Sequence, residues 1–254
     1  MADLTLNNPH VRQDLLLSRL EGGEQLVATQ LAEEFDISID TIRRDLLALE
    51  DRGLARRVRG GALPVRSAAI PFAQRKNEPQ IEHDRLIRAS LPLIHAGMSI
   101  ILGGGTTQTH LAAKLEPLEN LFVITPAPAI ASIMLEKGIA THLVGGRMSP
   151  WGGCAVGADA EAALSNLAAD LAFPAICGLD PDFGLSMDHA DEASMTRCLI
   201  RAASETVLVC AAEKIGQRAR HRILPIPGIT KIVTDADERL MQPFKDAGAE
   251  IIHA

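Results

Sequence analysis

Tyrosine is absent from this 254-residue chain, tryptophan occurs once and phenylalanine six times. So few aromatic rings speak against a platform that stacks unpaired bases. Cysteine is scarce too. Cys154, Cys177, Cys198 and Cys210 lie far apart, form no Cys-x-x-Cys pair, and three of them sit within apolar runs. That pattern argues against a zinc site or a disulfide frame, so no metal and no cofactor is expected. No uninterrupted apolar stretch reaches about 18 residues, and the opening MADLTLNNPHVRQDLL has no basic segment followed by an apolar one. The expectation is a cytoplasmic chain with no membrane partner. Nor is there an excess of positive charge: the net charge is −7, which argues against a generally basic nucleic-acid binder but does not exclude a local basic element. No internal repeat and no low-complexity tract is present.

What is abundant is apolar residue content, at 47%. With this length, that supports two domains with buried cores. The most informative stretch is SIDTIRRDLLALEDRGLARRVRGG, from Ser38 to Gly61. Ser38 can cap a helix, and Ile39, Ile42, Leu46 and Leu49 recur at helical spacing to make one apolar stripe. At 100° per residue Arg44 falls nearly opposite Ile42, with Asp40, Thr41, Arg43 and Leu47 spread over the same outer face. Gly53 ends the helix, and LARRVRGG reads as a short strand followed by a Gly-Gly turn. Between Arg43 and Arg66 there are seven arginines against Asp45, Glu50 and Asp51. Positive charge is thus concentrated where an otherwise acidic chain could meet DNA.

Two helical patterns precede this stretch. Pro9–Glu21 carries Val11, Leu15, Leu16 and Leu20 and is closed by Gly22-Gly23, and Ala28–Phe35 carries Leu31, Ala32 and Phe35. Helix, turn, polar-faced helix and basic hairpin make a winged helix-turn-helix, which places one helix in the major groove and a wing over phosphates. The candidate contacts to double-stranded operator DNA are Ser38, Asp40, Thr41, Arg43 and Arg44 on the helix, and Arg56, Arg57 and Arg59 on the wing. A three-helix protein-interaction module with solvated arginines is the competing reading. Residues 62–80, with three prolines and no sustained period, read as a linker. The spacing therefore predicts a DNA-binding domain over 1–61, a linker over 62–80 and a second domain over 81–254.

The second domain opens with a helical pattern from Ile81 to Ile94, followed by strand MSIIL, glycine loop GGGTTQT and helix HLAAKL. Glycines let the backbone approach a ligand, and a helix start offers free N–H groups to an anion. Gly104, Gly105, Thr106 and Thr107 are therefore candidate effector-binding residues, although such loops also serve as tight turns. No Gly-Lys-Ser/Thr follows, and the dinucleotide spacing is incomplete. Apolar or β-branched runs at Leu121–Thr125, Thr141–Val144, Leu171–Cys177, Thr206–Cys210 and Lys231–Thr234 alternate with helical stretches near 127–137, 158–168, 191–204 and 237–247. This predicts an α/β domain with a mainly parallel sheet and a ligand beyond the strands' C-terminal ends.

The stretch LAEEFDISIDTIRRDLLALEDRGLARRVRGGA resembles the signature of the DeoR family of bacterial transcriptional regulators. Ser38, Thr41, Ile42, Arg43, Arg44, Asp45, Leu46, Leu49, Glu50, Gly53, Arg57, Gly60, Gly61 and Ala62 match the family pattern. Ile37 replaces a valine, and Arg59 replaces the wing histidine, which makes that charge permanent. The resemblance extends to an effector domain similar to sugar-phosphate isomerases such as ribose-5-phosphate isomerase. Its landmarks are the Gly-Thr-Thr loop, Gly145-Gly146, Gly157, the region from Asp170 to Gly178, Gly184-Leu185, Glu192 with Arg197, and Lys214 with Gly216. It implies that Glu192, Arg197 and Lys214 belong to the effector site, although Glu192 and Arg197 could equally be solvated on a helix surface.

Three departures stand out. Gly103-Gly104 replace the family's Asp-Ser, Thr196 occupies a frequent lysine position, and Ala211 replaces an aspartate. The resemblance implies a homo-oligomeric, non-enzymatic repressor of carbohydrate-metabolism genes, controlled by a phosphorylated sugar or related metabolite. The alternative is a sugar-phosphate isomerase with an accessory DNA-binding module, since GADAE at 157–161 is similar to an acidic element of ribose-5-phosphate isomerase, with Val156 where its first aspartate would be. Trp151, in the loop SPWGGC, either covers a ligand or packs beneath its own loop.

Overall fold

The computed structural model describes residues 8–21, 25–52, 54–58, 60–64, 70–76 and 83–254. The chain divides into two compact units, Met1–Ala68 and Ala69–Ala254.

The first unit runs α1 (Pro9–Glu21), β1 (Leu26–Val27), α2 (Ala28–Glu34), α3 (Ile39–Asp51), β2 (Ala55–Val58) and β3 (Gly61–Pro64). Leu16, Leu20, Leu31, Phe35, Ile42, Leu46 and Leu49 form its core, so the stripe read along α3 faces inward. Asp36 adopts φ +52° just after α2 and lets the chain turn sharply into α3. Ser38 then caps α3, its hydroxyl accepting from the Thr41 N–H at 3.2 Å. Two features add to the sequence reading. Leu26–Val27 pairs antiparallel with β3, giving the order β1-β3-β2, and β3 occupies 61–64. The wing therefore extends into the stretch read as linker. Gly61 is required there, because a Cβ would run into the Leu26 carbonyl oxygen.

Charge also helps to hold α1 against α3. The buried Arg12 guanidinium donates to Asp45 Oδ2 at 2.5 Å, and Gln13 Nε2 donates to Oδ1 at 3.1 Å. Asp45, counted in the sequence among the charges of the basic element, faces the interior instead.

The second unit begins with the short helix α4 (Phe72–Arg75) and α5 (His83–Ser90). It continues as β4 (Ser99–Leu102), α6 (Thr106–Lys114), β5 (Phe122–Thr125), α7 (Pro128–Glu136), β6 (Ala140–Leu143), β7 (Arg147–Ser149), β8 (Cys154–Val156), α8 (Ala158–Leu164) and β9 (Ala169–Phe173). Then follow β10 (Gly178–Asp180), β11 (Gly184–Met187), α9 (Ala190–Arg201), β12 (Ala203–Val209), β13 (His221–Leu224), β14 (Lys231–Thr234), α10 (Glu238–Asp246) and β15 (Glu250–His253). Seven strands form one parallel sheet in the order β15-β14-β12-β9-β4-β5-β6. Its inner strands are continuous apolar runs such as Ile100-Ile101-Leu102 and Val207-Leu208-Val209, as expected for strands buried on both faces.

A three-stranded antiparallel sheet β10-β11-β13 and the β7-β8 hairpin complete the unit. The predicted strand over Leu171–Cys177 stops at Phe173, where Pro174 has no N–H to continue a ladder. The predicted helix over 158–168 ends at Leu164. The pattern from Ile81 to Ile94 becomes α5 plus a single tight turn at Leu91–Leu93, with Ile81 outside the described residues. The stretch read as a linker contains α4 as well as the end of the wing.

Candidate functional site

On the first unit, α3 exposes Asp40, Arg43, Arg44 and Leu47, while Thr41 is half-buried. Ser38 and Thr41 share a hydroxyl contact of 2.8 Å in addition to the cap, so both primarily shape the helix start. Asp40 and Arg43 form an exposed pair at 3.1 Å, a contact that costs little to exchange for another partner. Arg44 is exposed and makes no ion pair among the described residues. On the wing, the Arg57 backbone N–H donates to Glu50 Oε1 at 3.0 Å, and its guanidinium lies 3.7 Å from Glu50 Oε2. Glu50 thereby ties the wing to α3. Arg56 sits on β2 opposite Leu63. Arg59 and Gly53 lie outside the described residues.

On the second unit, the glycine loop occupies the sheet's topological switch point. From β4 the chain steps outward to β5 and β6, then returns on the other side to β9, β12, β14 and β15. Strand order therefore reverses between β4 and β9, where open α/β sheets form a crevice. The Gly103 N–H donates to the Phe173 carbonyl at 3.0 Å, and Gln108 Nε2 donates to the Pro174 carbonyl at 2.9 Å. Both contacts pin the α6 start to the end of β9.

Gly105 caps α6 with φ +94°. The N–H groups of Thr106, Thr107 and Gln108 find no acceptor among the described residues. Thr107 is a buried residue, and its hydroxyl makes no side-chain hydrogen bond among the described residues. Helix α8 starts in the same way, from Gly157 at φ +98°, but carries Asp159 and Glu161 in its first turn, whereas the first turn of α6 has no acid. An anion is therefore favoured at α6 and opposed at α8.

The remaining sequence candidates are divided by the fold. Glu192 is buried on α9, and its Oε1 accepts from Ser149 Oγ at 2.5 Å and from the Gly152 N–H at 2.7 Å. Gly152 in turn gives its carbonyl to the Gly105 N–H at 2.8 Å, so Glu192 reaches the glycine loop through one intervening residue. Arg197 turns elsewhere, donating to the Arg222 carbonyl on β13 at 2.7 Å. Lys214 sits half-buried on the turn after β12, two strands from β4, with no ion pair among the described residues. Thr196 is buried against Met187 Sδ at 3.3 Å, in the core.

The SPWGGC loop holds most of what sequence reasoning missed. Trp151 stacks on His189 with ring centroids 4.8 Å apart and planes 9° from parallel. Its carbonyl accepts from Arg75 Nη2 at 2.6 Å. Cys154 packs against Gly104, and its thiol is pushed up to about 12, first by burial and then by the Glu192 charge.

Residues 12–68 match the family model of the DeoR-like helix-turn-helix domain, and residues 80–236 match that of the DeoR C terminal sensor domain. The chain belongs to the DeoR family. Similar proteins include the HTH-type transcriptional regulator GlpR of Haloferax volcanii, 28% identical over 96% of this chain and 97% of its own. A putative aga operon transcriptional repressor of Escherichia coli O157:H7 is 27% identical over 95% and 92%. The glycerol-3-phosphate regulon repressor of Shigella flexneri is 29% identical over 82% and 83%.

Among solved structures, the sorbitol operon regulator SorC of Klebsiella pneumoniae aligns over 97% of both chains, at 10% identity and a TM-score of 0.39. Ribose 5-phosphate isomerase of Plasmodium falciparum aligns over 52% of this chain and 51% of its own, at 12% identity and a TM-score of 0.38. This DeoR-family protein is a DNA-binding transcriptional regulator and not an enzyme. The isomerase alternative gives way. Gly157–Glu161, its one acidic element, is the cap and first turn of α8, with Asp159 on the surface.

Proposed function

We propose that this DeoR-family regulator works in the cytoplasm as a homo-oligomer that represses carbohydrate-metabolism genes. Helix α3 enters the major groove, where Arg44 reads a base edge, and Ser38, Asp40, Thr41 and Arg43 set its approach. Arg56, Arg57 and Arg59 hold flanking phosphates. The effector is a phosphorylated sugar or a related phosphorylated metabolite, bound by the N–H groups after Gly105 and the hydroxyls of Thr106 and Thr107. Lys214 adds positive charge from the end of β12.

The observation that carries this reading is the acid-free start of α6, with unpaired donors, at the switch point of the sheet. The relatives' names, a glycerol-3-phosphate regulon repressor among them, favour a phosphorylated ligand. Gly103 and Ala211 withhold two carboxylates that would accept from sugar hydroxyls, which favours a compound with fewer or differently placed hydroxyls. Repression then depends on the effector binding DNA-competent and DNA-incompetent arrangements unequally.

A thermal-shift screen of sugar phosphates, followed by calorimetry on Thr107→Ala, tests the site. Loss of effector affinity with DNA binding retained supports it. Unchanged affinity removes Thr107 from the site, and preference for an unphosphorylated sugar overturns the phosphate assignment.

A further inference from the structure

The Ser149–Cys154 loop makes contacts in two directions. Towards the effector site, the Gly152 carbonyl accepts from the Gly105 N–H, and Glu192 grips the same residue from behind through the Gly152 N–H and Ser149 Oγ. Towards the chain that follows the wing, the Pro150 carbonyl accepts from the Phe72 N–H at 2.9 Å, and the Trp151 carbonyl accepts from Arg75 Nη2 at 2.6 Å. Arg75 also donates through Nε to the Ile70 carbonyl at 2.9 Å, which folds Ile70–Lys76 into a clasp. The Phe72 ring lies so close over Gly153 that a Cβ there would be 2.5 Å from Cδ1, and Gly153 has φ +64°. Only glycine admits that ring. The clasp is the first described segment after β3 ends at Pro64, so it lies on the route by which the DNA-binding unit is attached.

The Gly105 N–H is the first donor of the cradle that an anion would use, and in this structure it is spent on Gly152. An anion on the neighbouring N–H groups of Thr106, Thr107 and Gln108 would meet the Gly152 carbonyl oxygen, with the Glu192 carboxylate directly behind it. Two acceptors cannot share that donor well, and a phosphate makes the stronger, charge-assisted bond.

We propose that anion binding and loop docking exclude each other: the anion takes the Gly105 N–H, the Ser149–Cys154 loop withdraws, and the clasp at Phe72 and Arg75 is released. This rests on the anion reading of the α6 start and supplies its route to the DNA-binding unit. Linkage makes the exclusion reciprocal, so whatever weakens the clasp must strengthen anion binding.

The experiment uses the full chain and inorganic phosphate as the probe. Calorimetry gives affinity, and emission from Trp151, the single tryptophan, reports the loop because the indole is stacked on His189. Phosphate should shift the emission of the unaltered protein. Arg75→Ala and, as an independent break, Phe72→Ala should each bind phosphate at least about threefold more tightly, the coupling being reciprocal. Equal affinities in all three proteins, or phosphate binding that leaves the emission unmoved, would overturn the exclusion and leave the anion site standing. No phosphate binding in any of them would overturn the anion reading and this proposal with it.

Discussion

Asp45→Ala is the most direct test of how the DNA-binding unit is held together. The Asp45 carboxylate and the Arg12 guanidinium are both buried, 2.5 Å apart, and Gln13 adds a second hydrogen bond to the same carboxylate. Removing one member of a buried pair costs about 3–5 kcal/mol, because the charge left behind keeps its desolvation penalty. A unit of this size has a total stability of only about 3–10 kcal/mol. Its melting temperature should fall by at least about 12 °C, at roughly 4 °C or more per kcal/mol for a small domain.

Trp151 lies in the other unit, so the two transitions can be followed separately. Far-UV circular dichroism should show an early loss of helix, while Trp151 emission keeps its midpoint. Asp45→Asn, which retains acceptor capacity, should cost less. Arg12→Met combined with Asp45→Leu should recover most of the loss, since a packed apolar pair replaces a buried ionic one at little net cost. A fall of less than about 1 kcal/mol for Asp45→Ala, the size of an exposed pair, would refute the burial argument.

Arg44→Ala should cost about 1–3 kcal/mol of specific binding and lower the ratio of specific to non-specific affinity, as expected for a base-reading fork. Arg57→Ala should instead weaken all sequences alike and reduce the salt slope by about one unit, measured by DNA titrations at several salt concentrations. Alkaline stability gives a separate check. The thiols of Cys154 and Cys210 are raised from 9.0 to about 12, mainly by burial, so the folded state holds protons that the unfolded state releases. Stability should therefore fall as pH rises from 9.0 towards 12, by up to about 1.4 kcal/mol per unit for each thiol. Chemical denaturation across that window should show the fall, and Cys154→Ala with Cys210→Ala should flatten it.

Local chemistry explains which elements were legible in the sequence. The α3 helix has its cap at Ser38 and its stripe at Ile42, Leu46 and Leu49 within one short window, and both signals act over a few residues. Strands β4, β12 and β14 are buried on both faces and so are written as apolar runs. Strands β7 (Arg-Met-Ser) and β10 (Gly-Leu-Asp) have no such run, and antiparallel pairing with the next strand, β8 and β11 respectively, makes them strands. Helix α4 was hidden for the same reason. Four residues carry no period, and Phe72 and Arg75 are fixed by carbonyls at Pro150 and Trp151. The inward turn of Asp45 was missed because its partner Arg12 is on another helix. At the candidate effector site the glycine loop could be read, but the commitment of the Gly105 N–H to Gly152 could not, since nothing near either glycine encodes the other.

The Gly103-Gly104 departure acquires a physical reason from that long-range contact. A Cβ at position 104 would lie 2.7 Å from the Gly152 carbonyl oxygen and 2.8 Å from the Cys154 Cβ; at 103 it would lie 3.2 Å from the Ala175 N. A serine at 104, as in the family pattern, cannot coexist with the docked SPWGGC loop without overpacking, which costs about 1–3 kcal/mol. Gly104 is therefore more than a lost ligand contact. It makes the room into which Gly152 and Cys154 settle, and so lets a backbone carbonyl reach the Gly105 N–H at the head of α6. The glycine pair and the docked loop therefore fit together: where the family pattern has side chains over the glycine loop, this chain has a peptide carbonyl that Glu192 holds from behind. A carboxylate fixed on an aspartate stays in place when a ligand arrives, whereas a carbonyl carried on a loop can leave. On the proposed reading, the residue that would crowd the anion is thus also the residue free to respond to it.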